Sequence, residues 1–288
     1  MKEKLSYCFY LTLNIILGVK KIPILGFSFS KIAKTYDKIP DMMIDTKSNI
    51  VIAWSAKCAS TFVMKWFFYQ KEQLSKALSY HSWIHKYFEE VYLKSSNYQK
   101  NMFRFNFFKS NYRCFKIIRN PYARAVSSYI HFVKTGYNAH DKTIIYHGLG
   151  KSKNIDLSFV EFLEAHILIP TEQFNIHMQP QTNELDDILK FNYIKLEDLE
   201  GEISKIEKEH SLKPSNFKQL SRSHHRQQYQ EEIKTTKSTA NTAYTKALIH
   251  AQTPHWKSFL DKDTIEMINE IYAQDFRLLA YPLFSSYS

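Results

Sequence analysis

The chain is poor in glycine, with six in 288 residues beside eight prolines. Long flexible linkers and low-complexity tracts depend on those residues and are excluded. Cysteine is scarcer still: Cys8, Cys58 and Cys114 make an odd count with no CxxC pair. No N-x-S/T acceptor occurs either. A reducing compartment therefore fits better than a secreted, disulfide-bonded life, and the cytoplasm is the expected location. No block of five consecutive basic residues appears, which argues against a dedicated nucleic-acid tail. The uncharged stretch Leu5 to Val19 is fifteen residues long, between Lys2 and Lys4 on one side and Lys20 and Lys21 on the other. That falls short of the roughly 20 residues that span a bilayer. No small-residue cleavage site clearly follows it, which disfavours a removed signal peptide. A helix packed on the domain, one lying on the inner face of a membrane, and a signal anchor all stay open. A complete Walker A motif is missing too. Gly150-Lys151-Ser152 mimics its end, but the required first glycine would fall at Ile145 and no strand leads in.

What is present is an ordinary 44% of hydrophobic residues, a high 15% of aromatics and a formal charge of +11. The length suits one large α/β domain with a sizeable core. We see no internal repeat. Residues 1–47 read as an N-terminal apolar and basic segment, and 48–288 as one domain with a helical C-terminal part. The positive charge fits a Lys-rich soluble surface, or a basic cleft that draws in an anionic ligand. Charge alone separates neither of these from nucleic-acid or membrane binding.

Two stretches carry the chemistry. Asn49 to Trp66 reads NIVIAWSAKCASTFVMKW, and Cys114 to Tyr129 reads CFKIIRNPYARAVSSY. Each opens as a short apolar run with the character of a buried strand, then turns through small, polar and basic residues into a helical pattern. A strand, a turn bearing a cation and the exposed N–H groups of a helix start make a phosphate site. Two such units suggest a ligand with phosphates at two separate places. In the second, Asn120 can cap the helix and Pro121 can occupy its first position.

These residues resemble the two nucleotide-binding signatures of the carbohydrate sulfotransferases, above all the branch acting on chondroitin, dermatan and the HNK-1 glycan. Ala56-Lys57-Cys58-Ala59-Ser60-Thr61 is similar to the stretch that holds the 5′-phosphosulfate of PAPS. Arg119-Asn120-Pro121-Tyr122-Ala123-Arg124-Ala125-Val126-Ser127-Ser128-Tyr129 is similar to the one that holds the 3′-phosphate. Phe174 to Gln181 (FNIHMQPQ), Phe191 to Leu199 (FNYIKLEDL) and Ile271 to Phe276 (IYAQDF) with Tyr281 resemble later family segments in the same order. The departures are Ala56 for proline, Met178 for tryptophan, Asn120 for an acid, and no cysteine pair after the His-Met segment.

The resemblance implies an α/β fold, a P-loop-like parallel sheet flanked by helices. It also implies a bacterial sulfotransferase that moves the sulfuryl group of PAPS, without a metal, to a carbohydrate hydroxyl of a surface polysaccharide or glycolipid. Lys57 becomes the cation at the leaving phosphate. Cys58, Ala59, Ser60 and Thr61 complete the 5′ loop, and Arg119 and Ser127 take the 3′-phosphate. Arg124, one turn before Ser127 and Ser128, either joins those two or pairs with an acid. His177 matches the family histidine and is the leading general base, a role suited to a side chain titrating near neutrality. Gln179 and Gln181 beside it suit sugar hydroxyls. His81 and His85, spaced i and i+4, are alternative bases or acceptor contacts, with no acid or cysteine nearby to complete a zinc site.

Along the rest of the chain, a helix is expected over about 60–78, and the aromatic-rich stretch 102–108 reads as a helix face packed on the sheet or as a sugar-stacking surface. Gly136 to Leu157 reads as a polar, irregular substrate loop. Ser158 and Glu161 form a capping-box pattern. A strand is expected at Asn192 to Leu196, a helix from Asp198 to about Glu209, and a last helix over about 262–279. The basic segment from Lys213 to Thr253 is either a lid or a solvated loop. Two other functions compete. A P-loop kinase-like phosphotransferase would need the missing Walker A. A basic nucleic-acid-binding protein would need RNP-like or helix-turn-helix features, and none is seen.

Overall fold

The computed structural model describes residues 42–152, 155–222 and 238–284. The stretch Leu5 to Val19, and most of the basic residues proposed as a lid, lie outside them. Strand β1 (Met42–Asp45) leads through a short link into β2 (Ile50–Trp54). After β2 come α1 (Ser60–Gln70), α2 (Leu74–Tyr80), α3 (Ile84–Tyr87, prolonged by a wider turn to Tyr92) and α4 (Ser96–Phe108). The chain then returns to the sheet as β3 (Arg113–Ile118). A second crossover comprises α5 (Pro121–Thr135), α6 (Ala139–Gly148), α7 (Phe159–Leu168) and α8 (Glu184–Leu189), and ends in β4 (Asn192–Lys195). The remaining helices are α9 (Leu199–Glu209), α10 (Phe217–Ser221), α11 (Lys246–Ala251), α12 (Lys262–Ile271) and α13 (Ala273–Leu279).

The sheet runs in the order β1-β2-β3-β4, with β2 parallel to β3 and β3 parallel to β4. Ile52 lies opposite Phe115, and Ile117 opposite Ile194. Every residue of β2 is buried, which explains its unbroken apolar run: helices cover both faces of a parallel sheet. On one side Ile52, Trp54, Phe62, Trp66, Phe68 and Ile203 share a core. On the other, Ile118, Tyr122, Tyr129, Phe162, Phe259 and Tyr272 share a second. The surplus of aromatic residues fills these two layers. The sheet starts at Met42, ahead of the domain boundary read at 48, because β1 is buried throughout.

Local signals account for several boundaries. The Asn120 side chain accepts from the N–H groups of Tyr122 and Ala123, with Pro121 at the first helical position. Ser158 and Glu161 form the expected reciprocal cap. Other boundaries differ from the sequence reading. The helix from Ser60 ends at Gln70, because Glu72 turns left-handed at φ 56° and the chain restarts at Leu74. The segment read as irregular contains α6, capped by Asn138 accepting from the N–H of Asp141. Gly136 sits before it at φ 68°, the left-handed ending of α5 that glycine allows without strain. The last helix breaks at Tyr272. Among the described residues no helix is long and apolar enough to cross a membrane.

One charge lies inside the sheet. Lys116 Nζ on β3 sits 2.8 Å from both carboxylate oxygens of Asp186, and both side chains are buried. Tyr193 donates to the same carboxylate at 3.0 Å.

Candidate active site

Beyond Trp54 the chain turns at once. The Cys58 N–H donates to the Ser55 carbonyl at 3.0 Å, closing the turn. Lys57 and Ala59 both adopt left-handed backbone, at φ 68° and 56°. Neither is glycine, so each holds on the order of 1–2 kcal/mol of strain. The alternation curls successive backbone amides around a concavity suited to an anion. Helix α1 then starts without a side-chain cap and without an acid in its first turn, so its first N–H groups stay open to a ligand. Ser60 and Thr61 add hydroxyls on that turn. Cys58, expected among the ligand-binding residues, turns inward instead. Its thiol is buried, donates to Gln181 Oε1 at 3.2 Å, and is pushed up to about 11 by burial. It shapes the loop.

The second unit is built differently. Because Asn120 occupies the amides of Tyr122 and Ala123, the start of α5 is not the open anion site that its pattern promised. Side chains remain. Arg119 reaches across so that Nη1 donates to the Lys57 carbonyl at 3.4 Å, which joins the two turns. Arg124 is buried; its Nε donates to the Ala56 carbonyl at 3.0 Å and its guanidinium lies 5.6 Å from the Tyr272 ring centre. It thereby braces the first turn, a role its sequence pattern had not indicated. Its Nη1 is buried with no hydrogen-bond partner. Ser127 lies half-buried on α5, about two turns beyond Arg119.

Gln181 fastens the two units together. Its Oε1 accepts from the Arg119 N–H at 2.8 Å and its Nε2 donates to the Arg119 carbonyl at 2.8 Å. Its own carbonyl accepts from Ser55 Oγ at 3.3 Å. Asp275, fully buried on α13, accepts from the backbone N–H groups of Gln181 and Thr182. Burial pushes the Asp275 carboxyl up, while the Arg124 charge pulls it back. Gln181 was expected at sugar hydroxyls. It is buried and its amide is committed to the backbone, so it is a brace. Nothing in its local sequence distinguished the two roles.

Lys57 is pushed down to about 8, first by burial and then by the charge of Arg119, with Lys134 and Arg124 adding to the repulsion. The positive charge gathered near Lys57 favours an anion in this turn. Among the described residues no cluster of His, Cys, Asp or Glu could hold a metal ion.

The family model described as the sulfotransferase family matches residues 40–282. The chain belongs to the sulfotransferase family. No curated protein and no solved structure matches it significantly. The mostly parallel sheet flanked by helices is the sulfotransferase fold, and the activity is sulfuryl transfer.

Such an enzyme must remove a proton from its acceptor, and the three candidate histidines are placed very differently for that task. His81 is exposed beyond the end of α2, and its Nδ1 accepts from the N–H of Trp83 at 2.9 Å. His85 is half-buried, with Nε2 3.1 Å from Thr61 Oγ1 and 3.5 Å from Ser60 Oγ. Because α2 ends at Tyr80, the two do not share a helical face. His177 points Nδ1 at Asn175 Oδ1 and stacks nearly parallel on Tyr137, with ring centres 5.3 Å apart. Its carbonyl accepts from Ser128 Oγ at 2.9 Å.

Burial pushes His177 down to about 3, helped by His131, Lys57, Arg124 and His85. It does not titrate near neutrality as expected. It stands neutral, and donation of Nδ1–H to Asn175 would leave the Nε2 lone pair as the acceptor. Gln179 donates Nε2 to the Phe174 carbonyl at 3.1 Å, within its own loop.

Sequence reading missed His131, whose ring centre lies 4.3 Å from that of His177, and also Lys134. Their signal was the spacing of Arg124, Ser127, His131 and Lys134, three and four residues apart along one side of α5.

Proposed function

We propose that this sulfotransferase takes its sulfuryl group from PAPS and delivers it to a carbohydrate hydroxyl of a surface polysaccharide or glycolipid. The observation that carries the reading is the junction of the two turns, where Arg119 bonds the Lys57 carbonyl and Gln181 ties both. Two separated anion-binding elements held at a fixed distance fit a nucleotide with phosphates at both ends. The open amides of α1, with Ser60, Thr61 and Lys57, suit the 5′ end; Arg119 and Ser127 suit the 3′-phosphate. In the reaction the acceptor oxygen bonds to sulfur as the sulfur–oxygen bond to the leaving phosphate breaks. The charge left on that phosphate falls to Lys57, and the acceptor proton to His177 Nε2. Positioning and electrostatics do most of the work, as in phosphoryl transfer.

Further parts of the reading are a bacterial origin, a cytoplasmic setting with peripheral membrane contact through the N-terminal segment, and an anionic acceptor matched to the +11 charge. Nucleic acid has no place in it.

Thermal protection tests the donor. PAP should raise the melting temperature, whereas ATP and RNA should not. Transfer of labelled sulfate from PAPS should fall about a hundredfold or more in Lys57→Ala, as for other lost transition-state donors. Near wild-type transfer by that variant would sink the assignment.

A further inference from the structure

Of the four tryptophans, Trp54 and Trp66 are buried and Trp256 is half-buried, while Trp83 is 42% exposed. Exposure normally leaves a side chain loose, yet this one is held from several sides. Its backbone N–H donates to His81 Nδ1 at 2.9 Å. Its indole stacks on the His85 ring at 5.1 Å and 24°, and the Lys86 ammonium lies 5.9 Å from its centre. Glu90 fixes the surroundings by accepting from Lys86 Nζ at 3.2 Å and from the half-exposed Tyr80 hydroxyl at 2.7 Å. The stack also leads inward: His85 Nε2 lies 3.1 Å from Thr61 Oγ1, on the first turn of the helix proposed to hold the 5′-phosphosulfate.

We infer that Trp83, backed by His85, is the platform on which a sugar ring of the acceptor stacks beside the donor. A rigid aromatic surface with polar groups at its edge matches a pyranose, which has apolar C–H faces and a rim of hydroxyls. Holding the ring in place beforehand spares the ordering cost of binding. The patch continues into the reaction site through a single ring, which favours a substrate over a remote protein partner. The inference rests on the proposed transfer to a carbohydrate.

The test uses PAP-loaded protein with chitotetraose and unsulfated chondroitin tetrasaccharide as neutral and anionic probes. At least one should quench the wild-type tryptophan fluorescence. By calorimetry, Trp83→Ala should bind that probe about tenfold more weakly, while Trp83→Phe, which keeps a ring, should lose much less. Protection of Trp83→Ala by PAP should equal that of wild type, which shows that the variant folds and separates this idea from the donor assignment. Failure of both probes to bind wild type, or equal binding by Trp83→Ala, would overturn the platform. So would Trp83-dependent binding to phosphatidylglycerol vesicles in place of either saccharide. If PAP fails to protect any form, the donor reading falls first.

Discussion

Donor binding should be linked to a proton through Lys57. In the free protein this ammonium sits in a partly buried turn beside Arg119, Lys134 and Arg124, and its half-point falls from 10.5 to about 8. An arriving phosphate adds the opposite charge and restores the protonated form. With a half-point of about 8, roughly nine-tenths of the free protein carries the charge at pH 7, and roughly one-tenth at pH 9. If only the protonated form binds well, PAP affinity should fall about tenfold over that interval, or ~1.4 kcal/mol. Binding at pH 8 should take up about half a proton. Neither Cys58, at about 11, nor His177, at about 3, titrates in that window. The sign for stability is the opposite. Because the folded half-point is depressed, the charge costs the apo protein stability below about pH 8, and the cost is relieved as the pH rises toward 10.5. Calorimetry at pH 7, 8 and 9, in buffers of different ionisation enthalpy, measures both affinity and proton uptake. Lys57→Arg, charged throughout, should flatten the profile. A wild-type affinity constant from pH 7 to 9, or an unchanged slope in Lys57→Arg, would refute the argument.

Arg119→Ala should weaken PAP binding by roughly 1.5–3 kcal/mol, the range for charged hydrogen bonds, and adenosine 5′-phosphosulfate binding much less; equal losses in calorimetry would make Arg119 structural. His177→Ala should cut single-turnover sulfation by about 10²–10⁴-fold with PAP affinity unchanged, and the wild-type acid limb should lie well below the ordinary histidine range because burial holds His177 near 3. Full activity in His177→Ala together with its loss in His85→Ala would move the base to the other ring. Lys116→Met should cost about 3–5 kcal/mol in urea unfolding by leaving Asp186 buried and unpaired, and the double variant Lys116→Met/Asp186→Leu should recover most of it; an undiminished single variant would show that the pair contributes little.

The features legible in the sequence are those whose cause is local. Asn120 and Pro121 mark the start of α5, Ser158 and Glu161 mark that of α7, and both strand-turn-helix units stand where their apolar runs end. What stayed hidden depends on partners far along the chain. The left-handed backbone of Lys57 and Ala59 appears nowhere in their identities, since glycine is the usual sign of such a turn. The roles of Gln181 and Asp275 are set by residues on other elements. A lysine within β3 reads as an interruption until Asp186 is seen opposite it. α6 was masked by a polar composition that also suits a loop, because its burial is confined to residues such as Ile145 and Tyr146.

If PAPS is the donor, as proposed, the self-capped start of α5 gives its site a direction. Such a nucleotide would meet free backbone amides at only one of the two turns, because Asn120 has filled those of Tyr122 and Ala123 at the other. A reversed molecule would set its 3′-phosphate in the cradle and leave its phosphosulfate against side chains alone, away from Lys57. On that reading one asparagine would work as a key that tells the two ends of the donor apart.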